Sequence, residues 1–356
     1  MTNIEPKGTQ QTRNNGKKKK KRLSYKKRIT IIVVALLVAI LALVCYLFFM
    51  GRGGDDKTKR MLDGYTTIAF FGVDNRSNGD YDAGNSDSVM LCNINNETKE
   101  VEIISVYRDT LMDVDGDQTF RKCNYAYNHG GVDNSIAMLN RNLDLEIEDY
   151  VAVDFMALVS AVDALDGVDV ELSDAEVEAM NGGYIGEVAA ITGKEAIPVS
   201  AGMQHLDGVQ ATAYCRIRST RGDDFVRASR QRTVLTQIIA KAKEASVPQL
   251  ASLITGVFPY IKTSLSADQL VYLATHMKSY NLGETKGFPF DKCTENLGNT
   301  IGDAVVPCSL ESNVIALHAE LYDDVTYEAS EEVKSISDAM IDFTGCDEND
   351  AVAMEW

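Results

Sequence analysis

The 356-residue chain has no CxxC pair and no HExxH run, so neither a zinc ribbon nor a zincin-type centre has support. Its four histidines, His129, His205, His276 and His318, are scattered. A lone histidine is more often satisfied packing than a ligand, and no Ser-His-Asp arrangement emerges. There is no internal repeat, and low complexity is confined to the N-terminus. Basic charge is the scarcest resource. Outside residues 1–28 the chain carries 24 Lys/Arg against 51 Asp/Glu, a balance of −27. A body this acidic excludes general nucleic-acid binding, which needs a basic face.

The first 28 residues are the opposite, with eleven Lys/Arg and only Glu5 to oppose them. No core can be built from such a segment, and it reads as a disordered cytoplasmic tail. Ile29 to Met50 follows, uncharged and dominated by Ile, Val, Leu and Ala. At 1.5 Å per residue this run reaches roughly 33 Å, enough for the hydrocarbon layer of a bilayer. It lacks a small-residue cleavage site, so the expectation is a permanent single-pass anchor rather than a signal peptide. The excess of positive charge before it puts the N-terminus inside and the rest of the chain outside the cell. Residues 51–65 read as a linker.

Beyond the linker the pattern is that of a layered α/β domain with a central mixed sheet. Thr67 to Val73 reads as a buried strand. Ser88 to Asn95 and Val101 to Tyr107 form an antiparallel hairpin across Asn95-Asn96-Glu97-Thr98. Helical spacing follows over Val132 to Leu143, then a strand from Tyr150, a helix from Met156 and a strand over Val168 to Leu172. From Leu172 to Ser200 weak patterning predicts loops and a short helix. Asp207 and Gln210 have capping-box spacing and predict a short helix. The catalytic body is expected to end near residue 245. Residues 246–356 read as a mainly helical extension packed on the same domain, around a strand-and-loop excursion at 286–310. Cys293 and Cys308 flank that excursion and are the best candidate disulfide, whereas Cys92 and Cys215 read as buried thiols on strands.

The chemistry concentrates in the stretch from Tyr214 to Arg232, which packs six arginines into the acidic body. Read as an extended segment, Arg216 and Arg218 project from one face. After a polar turn, Asp223 or Asp224 can cap a helix on which Arg227 and Gln231 share a face. Several guanidinium forks beside a helix N-terminus suit a phosphate or pyrophosphate. Arg221 and Arg232 read as surface bystanders. Upstream, Asp74 ends the first strand and Asp87 begins the second, so both carboxylates can approach one Mg²⁺. Arg76 is a further phosphate candidate on the loop between them.

The order of these motifs resembles the LytR-CpsA-Psr family. The resemblance runs through Gly72-Val73-Asp74-Asn75-Arg76, Asn85-Ser86-Asp87-Ser88 and Ser105-Val106-Tyr107-Arg108-Asp109-Thr110. It continues through Lys122-Cys123-Asn124-Tyr125-Ala126-Tyr127, Leu165-Asp166-Gly167-Val168, Gln204-His205-Leu206-Asp207-Gly208 and the arginine stretch, covering about residues 66–245. Tyr107 replaces a usual proline, Val226 a common glycine, and Cys123 and Cys215 usual aliphatic residues.

The resemblance implies an extracytoplasmic transferase that moves a phospho-glycan, such as a teichoic acid or capsule polymer, from undecaprenyl pyrophosphate to peptidoglycan. It assigns Asp74 and Asp87 to Mg²⁺ (or Mn²⁺). Arg76, Arg108, Arg216, Arg218 and Arg227 would bind the pyrophosphate, with Gln231 orienting it. Arg108, Asp109, Arg216 and Arg218 form the expected catalytic group, Asp109 either placing Arg108 or taking the acceptor's proton. The competing functions are a lipid-binding sensor or transcription attenuator, and a polyprenyl-pyrophosphate hydrolase.

Overall fold

The computed structural model describes residues 64–74, 84–218, 223–322 and 326–352. The basic tail, the candidate membrane span, Arg76 and Arg221 lie outside them. Among the described residues no helix is long and apolar enough to cross a membrane.

Strand β1 (Tyr65–Val73) pairs antiparallel with β2 (Ser86–Asn95), which turns into β3 (Glu100–Val106). Asn95 sets that turn, its Oδ1 accepting from the N–H groups of Glu97 and Thr98 at 3.0 Å each. Side chains alternate across the sheet as a period of two demands. Ala69, Phe71, Val73, Val89, Leu91, Ile104 and Val106 serve one face. Ile68, Phe70, Met90, Cys92, Ile94, Val101 and Ile103 serve the other.

After β3 come two short strands, β4 (Leu111–Asp113) and β5 (Phe120–Lys122), and then α1 (Tyr125–Leu143). Helix α1 kinks at Gly130-Gly131 and covers the first face through Val132, Met138, Leu139 and Leu143. Strand β6 (Asp149–Val153) then runs parallel to β1. A second core gathers outside the sheet. It is built from α2 (Phe155–Ala164), β7 (Val168–Leu172), α3 (Asp174–Ala179), α4 (Ile185–Thr192), β8 (Gly202–Leu206) and α5 (Gly208–Arg216). The stretch expected to be mostly loop is therefore largely helical, α3 and α4 being joined by a π turn at Met180–Tyr184. Helix α5 begins with the expected capping box, Asp207 accepting from Gln210 N–H at 2.8 Å. It runs on through Cys215 to Arg216, so Cys215 is buried on a helix and not a strand.

Helix α6 (Asp223–Glu244) lays Leu235 and Ile239 on the second face of the sheet, and α7 (Val247–Val257) follows it. Strand β9 (Ile261–Thr263) then pairs antiparallel with β6, and α8 (Ala267–His276) begins at the capping box of Ser266. Strand β10 (Asn281–Phe288) joins β3 in parallel. The sheet order is β10-β3-β2-β1-β6-β9. The segment expected to be a helical extension thus supplies both edges of the mixed sheet.

A last hairpin, β11 (Lys292–Asn296) and β12 (Asp303–Pro307), encloses the short α9 (Gly298–Ile301). Helices α10 (Leu310–Tyr322) and α11 (Glu331–Thr344) complete the first face. Cys293 is bonded to Cys346, not to Cys308, which remains a buried thiol. The partner was set by where α11 ends in space, which residues flanking the excursion do not encode.

Candidate active site

The site forms where β1, β2 and β3 end on the same side of the sheet. Pairing between β1 and β2 slips at Gly72/Val73, with Gly72 opposite Ser88 and Val73 opposite Ser86. Asp87 is the extra residue of that bulge, a device that re-aims a side chain at a strand end. Gly72 makes the close approach possible, since a Cβ there would stand 2.9 Å from Ser88 Cβ. Asp74 lies one residue past the slip, its N–H donating to Asn85 carbonyl oxygen at 3.2 Å.

Two guanidinium groups close on Asp87. Arg108 Nη1 donates to Oδ1 at 2.8 Å, and Arg218 Nη2 donates to Oδ2 at 2.6 Å. Burial alone would raise the Asp87 pKa, but the charges of Arg218, Arg227 and Arg108 outweigh it and hold the carboxyl below its usual range. Arg108 comes from the turn after β3, where Thr110 N–H donates to Tyr107 carbonyl oxygen at 2.9 Å. Its Nε donates to Asp224 Oδ1 at 3.0 Å and lies 3.6 Å from Asp109 Oδ2. Asp109 also takes Lys122 Nζ, 3.4 Å from Oδ1.

Arg227, one turn into α6, is 3% exposed and pairs with Asp224 through Nη2. Its Nε and Nη1 are buried with no hydrogen-bond partner among the described residues, an expensive condition for a cation unless an anion completes it. Burial pushes the Arg227 pKa down and, as the leading cause, lifts that of Asp224.

The remaining expected residues have other partners. Arg216 ends helix α5 instead of sharing an extended face with Arg218. It lies 3.3 Å from Glu187 of α4 and covers the Phe155 ring at 4.6 Å. Gln231 stands one turn beyond Arg227 on α6, Nε2 donating to Cys215 carbonyl oxygen at 3.5 Å. Arg232 is no surface bystander: its Nη1 is buried without a hydrogen-bond partner among the described residues, and burial lowers its pKa despite nearby Tyr107. Arg230 is committed elsewhere, to Glu176 at 2.9 Å.

Sequence reasoning missed Asp224 and Lys122 as members of the site. The i,i+3 spacing of Asp224 to Arg227 was a usable signal for the first. Nothing local marked the second, because Asp109 and Lys122 meet only through the packing of β4 and β5.

An arginine-ringed carboxylate at the ends of a mixed sheet now has a class to belong to. The LytR_cpsA_psr family model matches residues 49–299, and the chain belongs to that family. Among named relatives, the polyisoprenyl-teichoic acid–peptidoglycan teichoic acid transferase TagU of Bacillus mycoides is 33% identical over 216 residues, 60% of this chain and 64% of that protein. The chain thus spans less than two thirds of that relative. In structure it resembles the protein gbs0355 of Streptococcus agalactiae, with a TM-score of 0.62 at 21% identity over 75% of this chain and 90% of that one. It also resembles TagT (YwtF), solved with bound octaprenyl pyrophosphate lipid, with a TM-score of 0.51 at 19% identity over 80% and 92%. At these identities the structural likeness is one of fold.

Proposed function

We propose that the chain is a phosphotransferase that moves a phospho-glycan from a polyprenyl pyrophosphate carrier to peptidoglycan. The observation that carries this reading is Arg227, a nearly buried guanidinium with two unsatisfied nitrogens beside Arg108 and Arg218. Such a site is short of an anion with several oxygens, and a pyrophosphate supplies one. The name of TagU and the lipid bound in TagT favour the same substrate class. Helix α6 offers a path for the lipid tail, since Leu235 and Ile239 further along it lie half-buried over the sheet.

The residues present fit a hard divalent cation. Asp87 is held ionised, and each of its oxygens, occupied once by an arginine, keeps a further lone pair. Asp74 directly follows the neighbouring strand, which ends at Val73. Together they would hold Mg²⁺ (or Mn²⁺), which when bound supplies neutralisation of charge on the pyrophosphate oxygens.

Arg108, Arg218 and Arg227 bind and orient the two phosphoryl groups, and Arg76, Arg216 and Gln231 are assigned to the same anion from its margins. The acceptor hydroxyl attacks the glycan-bearing phosphorus, the bond from that phosphorus to the bridging oxygen breaks, and polyprenyl phosphate leaves, taking up the proton the hydroxyl gives away. Stabilisation of charge and in-line placement do most of this work. Asp109, flanked by Arg108 and Lys122, is assigned to positioning Arg108 rather than to accepting the acceptor's proton. A membrane anchor at residues 29–50 would keep enzyme and carrier in one layer, with the catalytic body outside the cell.

The test is turnover by the full-length chain of a lipid-pyrophosphate glycan in the presence of peptidoglycan and Mg²⁺. The expected outcome is release of polyprenyl phosphate with glycan joined to the wall through a phosphodiester. Release without transfer would make the chain a hydrolase, and binding without release a sensor; either would overturn the proposal.

A further inference from the structure

The sulfur atoms of Cys293, Cys308 and Cys346 lie within 4.8 Å of one another, and all three residues are buried. Cys293 and Cys346 are joined, and Cys308 is a thiol. Three separate features bring them together. In the β11–β12 ladder Cys293 stands opposite Val306, and Cys308, two residues on, returns to the same face. The Cys308 N–H donates to Asp291 carbonyl oxygen at 2.9 Å, which carries the pairing past the end of β12. Cys346 follows Gly345, whose φ of 76° ends α11 in the left-handed conformation and turns the chain back towards the hairpin.

We propose that this trio is an internal thiol–disulfide exchange centre. The ionised Cys308 sulfur attacks Cys293 Sγ. The Cys293–Cys346 bond breaks, a Cys293–Cys308 bond forms, and Cys346 leaves as a thiolate that takes up the proton Cys308 gave away. One disulfide and one thiol exist before and after, so no oxidant or reductant is consumed. The exchange relocates a tether. Cys293–Cys346 pins the end of α11 to β11 across a separation of 53 residues. Cys293–Cys308 would staple the hairpin to itself and release the end of α11.

The hairpin is not remote from the site. Val305 N–H of β12 donates to Asp109 carbonyl oxygen at 2.9 Å, so the stapled strand supports the loop that carries Arg108. The thiolate is the attacking species, and burial raises the Cys308 thiol, as do the nearby carboxylates of Asp350, Asp291 and Asp347. The Cys293 backbone opposes this, and Lys292 is the cation beside the thiol. Ionisation of Cys308, and with it the rate of exchange, therefore rises at alkaline pH. The inference does not rest on the function proposed above.

The full-length chain, purified without reductant, is held at neutral or alkaline pH, trapped with N-ethylmaleimide on denaturation and mapped by non-reducing digestion and mass spectrometry. At neutral pH the expected result is the Cys293–Cys346 peptide with Cys308 alkylated. At alkaline pH the Cys293–Cys308 peptide should appear with Cys346 alkylated, and it should be lost in Cys308→Ser. Cys346→Ser should form the Cys293–Cys308 pair directly, and hydrogen exchange over residues 331–344 should rise with the switch. Absence of that pair from the wild-type chain at alkaline pH overturns the proposal, whether or not Cys346→Ser folds. Isolation of the chain with three free thiols holding zinc also overturns it and makes the trio a metal site.

Discussion

Arg218 pairs with Asp87 and Arg227 with Asp224 under opposite conditions of burial, and substitution should separate them. The Arg218 side chain is 42% exposed and bonds only at its tip. Arg218→Ala should lower transfer about 10²–10³-fold while leaving Tm within the noise of a surface substitution. Unchanged turnover would remove Arg218 from the site. Arg227→Ala leaves the buried Asp224 with Arg108 as its remaining cation and should cost about 1–3 kcal/mol of stability, read as a fall in the denaturation midpoint. Asp87 and Asp224 likewise titrate in opposite senses. The folded pKa of Asp87 is depressed, so its contribution is present above the ordinary value of 3.8 and is lost as pH falls through the folded value. The folded pKa of Asp224 is raised, so its ionised form opposes folding at neutral pH and acidification relieves that cost. Asp87→Asn should flatten the acid limb of a Tm–pH profile and Asp224→Asn should steepen it. Equal slopes in the two variants would contradict the assignment.

At the scale of elements, strand ends and helix ends divide what could be read from residues alone. The β2–β3 hairpin was legible because Asn95 marks its turn and the flanking residues alternate cleanly. The cap at Asp207 was equally legible, yet Arg216 was misplaced. The alternation Arg216-Ile217-Arg218 imitates a strand, whereas the helix begun at Gly208 has the momentum to reach Arg216. Strand β10 was invisible for the reverse reason, since NLGETKGF has two glycines and little apolar content. Its place is set by β3 across a parallel pairing that no local pattern encodes. One of those glycines is required. A Cβ on Gly287 would stand 2.0 Å from Tyr107 Oη and 2.4 Å from Tyr107 Cζ. Gly287→Ala should therefore destabilise the chain by about 1–3 kcal/mol. Tyr107→Ala in the same chain should recover part of that loss, as a double-mutant cycle in Tm would register. Additive losses would mean that the ring moves aside freely.

For the whole molecule, the arginine stretch and the upstream aspartates fall within residues 66–245, but the sheet that positions them does not close there. A chain ended at residue 245 would leave β3 and β6 as open edges and strip α10 and α11 from the first face. Open edges invite pairing between chains. A truncation spanning 64–245 should be recovered as aggregate, whereas a chain spanning 64–352 should remain monodisperse by light scattering. A soluble, folded 64–245 product would show that the late strands are ornamental.

Both edge strands come from one late segment, and this gives the sheet a history as well as a shape. Strands β1, β2, β3 and β6 are complete once Val153 has been made, but neither flank is covered until Thr263 and Phe288 have followed. At about 5–20 residues per second that interval is roughly 7–27 s. Until Thr263 a nascent sheet waits with two unpaired sides, and from there to Phe288 with one. The same late segment that closes the sheet therefore also sets how long it must be shielded while it is born.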